Sequence, residues 1–322
     1  MSNFTDFFPA GGGAGGGAIP DLVGLEYLIL SGGGAGGGIP GANYGGGGGG
    51  GGTYDNNYFY TVKDVVTPVV VGAGGAWASG ATTPGGSATI GSGINQAVIL
   101  GGGGGTYNSV PTTGGTCSGG RGMTSSGTTV STIGNAFDVR GRVFGSLDDA
   151  AVIAGQAFIN KYTQAYRTGS LGGASAVGGA GLGGVGQSLG TFWQRGGTGG
   201  IGVDPTSVNL SYDFLTQAEL QTELIGEVTN GITYIGGGGT GYGASITFPR
   251  ADPGGGCGRD TVNALANTGG GGGGLSSGGS GFTMIKVPNS LSVTTTGTPS
   301  TYVRTSFTIY VWKNTGSITI NS

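Results

Sequence analysis

Apolar residues along this chain come in short runs of strand length that open directly onto glycine. Leu25–Leu30 reads LEYLIL and continues as SGGGAGGG; after IPGANY come eight uninterrupted glycines, Gly45–Gly52. The same order returns at Gln96–Gly105 (QAVILGGGGG) and Gly231–Gly239 (GITYIGGGG), and in weaker form at Val262–Gly274 (VNALANTGGGGGG). Tyr58–Lys63 and Val65–Val71 are rich in β-branched and aromatic residues, and Pro68 predicts an edge strand or a turn there. Ser87–Gly93 and Gln96–Leu100 read as a further strand pair. Thr53–Tyr60 (TYDNNYFY), between glycine and strand, is expected to be an exposed loop. From Phe282 onward strand patterns dominate: FTMIKV, LSVTTT, YVRTSFTIYVW, a turn at Lys313–Gly316, then SITIN. That stretch predicts an antiparallel unit closed by a hairpin.

Two segments carry helical period instead. Leu147, Ala151, Ala154, Phe158, Tyr162 and Ala165 follow one helical face. Ser146 is placed to cap it, Asp148 and Asp149 oppose the dipole in its first turn, and Gly169 can end it. A helical insertion near 146–168 follows. Thr216 and Glu219 form a capping-box pattern ahead of Leu220 and Leu224, which predicts a shorter helix near 214–225.

Glycine this abundant changes the kind of core to expect. The chain has 322 residues, of which 83 are glycine, and only 8% are charged. Glycine inside a helix or ordinary sheet costs roughly 0.5–1 kcal/mol relative to alanine, so those forms are poor choices for long runs. A three-residue-per-turn extended helix makes no internal hydrogen bonds, and all its amides point outward. Buried segments of that kind must satisfy one another, and without Cβ atoms they can approach closely enough to do so. Flexible linker is the alternative, but serine is not mixed into the longest runs, and apolar strands enter them. Disorder also goes with low hydrophobicity and high net charge. With 11 prolines and no glycine at every third residue, collagen is excluded. The fold class expected is mainly β with a glycine-rich, polyglycine II-like core: short strands feeding extended glycine segments, one or two inserted helices and a C-terminal β-hairpin unit. Three parts are read along the chain. Residues 1–18, with Phe4, Phe7 and Phe8 ahead of glycine, form an N-terminal docking segment; 19–281 form the glycine-rich body; 282–322 form the C-terminal β unit.

Net charge is −3, and the 12 basic residues form no cluster, which argues against nucleic acid as a partner. So few charges suit a protein that lives in an assembly. The opening MSNFTDFFPA lacks a basic n-region and a long apolar run, so a secretory signal is not expected. No stretch of about 20 apolar residues is present to span a membrane. Cys117 and Cys257, both set in glycine, do not make a disulfide framework and read as thiols; whether they pair is left open. Histidine is absent altogether, so the commonest general base and metal ligand is missing. No Gly-Lys dipeptide exists for a phosphate loop. GxGxxG strings occur by chance at this glycine content. Asp148–Asp149 and Asp204 are explained by helix capping and turns. No catalytic residue, metal site or cofactor is expected.

The strand LEYLILSGGGAGGG, the segment VTPVVVGAGGA, the repeated aliphatic-then-glycine blocks and the closing FTIYVWKNTGSITI resemble glycine-rich proteins of tailed bacteriophages. That group includes tail-fibre and tail-associated proteins of marine and cyanobacterial phages. The architecture is similar to fibre-tip adhesins of T-even-like phages, in which polyglycine helices stack into a core and end loops touch the host receptor. Segments 136–170 and 205–230 depart from that pattern. The resemblance implies a virion structural protein, made in the host bacterial cytoplasm, and a tail-fibre or host-recognition component. Its partners would be other virion proteins, copies of itself (a homotrimer among them) and a host glycan or outer-membrane protein. Tyr54, Tyr58, Tyr107, Trp193 and Tyr242 are the aromatic candidates for receptor contact, and Phe4, Phe7 and Phe8 for docking. The alternative is a capsid or tail decoration, or a spacer with no receptor contact.

Overall fold

The computed structural model describes residues 22–38, 48–52, 54–79, 81–92, 96–105, 179, 181–182, 197–206, 213–242, 254–258 and 261–322. The expected helix at 146–168 and the N-terminal docking segment lie outside them. The described chain is mainly β.

Five strands make a first antiparallel sheet in the order β12 (Ser300–Val303), β13 (Phe307–Trp312), β10 (Phe282–Pro288), β1 (Leu22–Leu30), β2 (Tyr54–Val62). A second has the order β11 (Ser292–Thr296), β14 (Gly316–Asn321), β3 (Thr67–Val70), β6 (Ala88–Ile90), β7 (Ala97–Ile99). Two small ribbons, β4 (Trp77–Ala78) with β5 (Ala81–Thr82) and β8 (Glu227–Thr229) with β9 (Ile232–Tyr234), are the other strands among the described residues.

The run LEYLIL is apolar on both faces because β1 is buried on both. Leu25, Tyr27 and Ile29 pack with Phe59, Val69, Ile90, Ile285, Trp312, Ile318 and Ile320 in a core between the two sheets. Leu28 and Leu30 point the other way, with Phe282, Met284, Ile309 and Val311, into a second core on the outer face of the first sheet. Successive strand side chains alternate between faces, so one strand serves both cores. The second core is closed by residues of 213–235. There the expected helix appears as α1 (Gln217–Thr222), shorter than the 214–225 pattern. Thr216 caps it through a full capping box with Glu219. Phe214, Leu215, Leu220 and Ile225 bury against the sheet.

The structure corrects four local expectations. Strands β13 and β14 do not form a hairpin: β13 pairs with β10 and β12, and β14 with β11 and β3. The turn after Trp312 carries the chain from one sheet to the other, so Trp312 and Ile318 meet across the core instead of lying side by side. TYDNNYFY is not a loop, because Tyr54–Val62 pairs with all of β1 as an edge strand of the first sheet. Pro68 sits inside a central strand. It pairs with Ser317 on one side, while the ladder to β6 begins only at Val69, so its missing N–H costs no ladder bond there. Val262–Asn267 leads into glycine through turns, with no strand.

Candidate functional site

Glycine segments fill the end of the molecule into which the strands run. Residues 31–38 lie among them, wholly buried. Going along this segment, the N–H of Gly32 donates to Gly86, Gly33 to Gly279, Gly34 to Gly50, Ala35 to Thr83 and Gly36 to Ser276. Its carbonyls accept from Gly102 at Gly32, from Gly75 at Gly33, from Gly272 at Gly34 and from Gly105 at Ala35. The partners lie in six segments: 48–52, 71–76, 83–87, 101–105, 269–274 and 276–281.

The bonds repeat every third residue. Gly32 and Ala35 address one neighbour, and Gly33 and Gly36 another. Gly49 and Gly52 donate to Gly272 and Gly269, Gly237 and Thr240 to Gly255 and Gly258, Gly238 and Gly241 to Gly200 and Gly197. A helix with three residues per turn points its donor the same way every third residue, which is the spacing these pairs display. Neighbours run in both directions: residue numbers rise together for 32/35 with 102/105 and oppose for 32/35 with 86/83.

Close approach explains why these positions are glycine. A Cβ on Gly33 would fall on the Gly270 carbonyl, one on Gly49 on that of Gly34, and one on Gly271 on that of Gly49. Each obstacle is backbone, which cannot swing aside as a side chain would.

The candidate aromatic residues are scattered. Tyr54 is a core residue, 2% exposed, beside Leu28 and Leu30. Tyr58 is 64% exposed on the edge strand β2, and Tyr60, two residues on, is 45% exposed on the same strand. Tyr60 was not singled out from sequence; reading TYDNNYFY as a strand would have placed it beside Tyr58. Gly24 opposite leaves room for its ring, whose Cε1 would be 3.1 Å from a Cβ there. The Asn57 side chain accepts the Tyr58 N–H at 2.8 Å, which occupies a donor an incoming strand would need. Tyr242 is half-buried at the end of the 236–241 segment. Tyr107, Trp193, Phe4, Phe7, Phe8 and Cys117 lie outside the described residues; Cys257 is buried.

Charge gathers where α1 meets the first sheet. Arg304 Nη2 lies 2.6 Å from Glu219 Oε2, and Lys313 Nζ 2.8 Å from Glu223 Oε2. Ser300 and Tyr302 donate to the same Glu223 carboxylate at 2.9 and 2.6 Å. Lys286 Nζ bridges Glu26 at 3.0 Å and Asp213 at 3.4 Å, over the rings of Phe214 and Phe307. Burial raises both α1 carboxyls, but hydrogen bonds from Arg304 and Thr216, and from Lys313, Tyr302 and Ser300, outweigh it. Glu219 and Glu223 therefore sit below the ordinary glutamate value. Burial, then the Glu223 contact, pushes the Tyr302 phenol up. Elsewhere, burial and then Asp55 do the same to Tyr27, whose hydroxyl donates to Asp55 Oδ2 at 2.7 Å.

Together these features define a β-sandwich continued by glycine segments joined through backbone hydrogen bonds. The family model described as a glycine-rich domain matches residues 18–287, and the chain belongs to that family. No curated protein and no solved structure matches the chain. Among the described residues no helix is long and apolar enough to cross a membrane.

Proposed function

We propose that this chain is a structural protein of a bacteriophage virion, a tail-fibre or host-recognition component built on a polyglycine II-type core. The observation that carries the reading is the three-residue repeat of hydrogen bonds between buried glycine segments. Such a core is stiff, so side chains fixed to it bind with little ordering cost. Tyr and Trp suit that role, offering large area on few rotatable bonds. Tyr58 on the β2 edge is the exposed ring of the original set among the described residues, with Tyr107, Trp193 and Tyr242 as the further candidates. The partner is a host surface glycan or outer-membrane protein, and other virion proteins hold the chain in place.

A second reading, a capsid or tail decoration without receptor contact, is favoured by the burial of Tyr54 and by the outer face of the second sheet. There Thr294, Thr296, Ser317 and Thr319 stand in register with no aromatic side chain among them. Adsorption separates the two. Purified protein or assembled fibre is expected to bind susceptible cells and block infection. Alanine at Tyr58, Tyr107 or Trp193 is expected to weaken adsorption while particles still assemble. Normal adsorption of all three variants, with the chain located on the capsid or inside the tail, selects decoration.

A further inference from the structure

We propose that residues 213–234 form an acid-releasable cover on the first sheet, clamped by carboxylate–cation contacts and able to lift while the glycine segments stay joined. Phe214, Leu215, Leu220 and Ile225 plug the core formed by Leu28, Phe282, Met284, Ile309 and Val311. A helix as short as α1 has no stability of its own, so its position depends on what it touches.

The clamp sets three carboxylates of the cover against three cations. Asp213, Glu219 and Glu223 on the cover meet Lys286, Arg304 and Lys313 on the sheet and its connecting turns. The described residues hold four cations, Lys63, Lys286, Arg304 and Lys313, and three of them serve this one contact. Among the described residues, the other polar groups bonded to the Glu219 and Glu223 carboxylates are donors: Ser300, Tyr302 and the cap residue Thr216. Glu26 of β1 shares Lys286. Two further carboxylates tie the cover down at its flanks. Asp204 accepts from Gln217 of α1, and Glu227 of β8 accepts the Gly256 N–H. Among the described residues the glycine segments are joined to one another by backbone hydrogen bonds, which contain no titratable group, and Glu227 is the carboxylate that reaches a glycine N–H, at Gly256.

Glu219 and Glu223 are held below the ordinary glutamate value of about 4.3, so their contribution is complete above it. It is lost as pH falls through their lower folded values, when protonation leaves Arg304 and Lys313 without counter-charges.

The test is amide exchange of the intact chain, corrected for intrinsic rates, between about pH 6 and about pH 3, a window that spans the glutamate range. Protection of 214–226 is expected to fall about tenfold or more relative to 269–281, the scale of losing charge-assisted hydrogen bonds. The double variant Glu219→Gln with Glu223→Gln is expected to show the loosened cover already at neutral pH and a smaller further change in acid than the parent. Loss of protection in both regions together, or in neither, would overturn the proposal. So would a glutamine variant whose cover is as protected at neutral pH as the parent's, or as acid-sensitive.

Discussion

At the scale of single residues, position within the glycine segments decides what a methyl group does. Gly49 faces the Gly34 carbonyl and Gly271 faces that of Gly49, so a side chain at either must push backbone apart. Gly231, in the β8–β9 turn, has open space around it and a φ of +80°. Gly49→Val is expected to cost on the order of 3 kcal/mol or more. Gly231→Ala should cost about 1 kcal/mol, the strain of a left-handed L-residue. Chemical denaturation of the two variants reads the difference; equal costs would mean the segments are not closely packed. Glycine as a close-packing residue was legible in the sequence, against the flexible-linker alternative, because the long runs are entered by apolar strands and carry little charge. Which tyrosine of TYDNNYFY is buried was not. Tyr54 and Tyr58 are both even-numbered and share a face of β2, and what separates them is how far the second core extends along that face, a tertiary fact.

Among the elements, those with a local signature could be read directly. Thr216 and Glu219 announced α1, and LEYLIL and FTMIKV announced the two central strands. Thr216→Ala removes the side-chain acceptor for the Glu219 N–H and the donor to its carboxylate. The expected loss is about 1 kcal/mol, typical of a cap, measured by thermal or urea unfolding. A variant as stable as the parent would show that the sheet alone fixes the helix. The β13–β14 connection misled because a short turn between two alternating strands looks the same whether they pair or face each other across a sandwich. The pairing of β14 with β3, far upstream in the chain, and of β13 with β10, beyond β11 and β12, decides between these, and no local pattern carries that information.

For the whole molecule, two means of cohesion divide the labour. Apolar side chains hold the sandwich, and backbone hydrogen bonds between segments with no side chains hold the glycine end. The sequence indicated the second through its scarcity of charge and its repeated strand-to-glycine junctions. The order of segments around 31–38 was not readable, because identical glycines give no register. The strands supply it: β1, β7 and β9 each deliver a glycine run to a fixed starting point. Residue-resolved amide exchange on glycine-labelled protein tests this account most directly. The N–H groups of Gly34, Gly49, Gly239 and Gly271, bonded to Gly50, Gly272, Gly49 and Gly237, are expected to exchange as slowly as those of β1. Exchange at the rate of an unstructured chain, with β1 still protected, would contradict it.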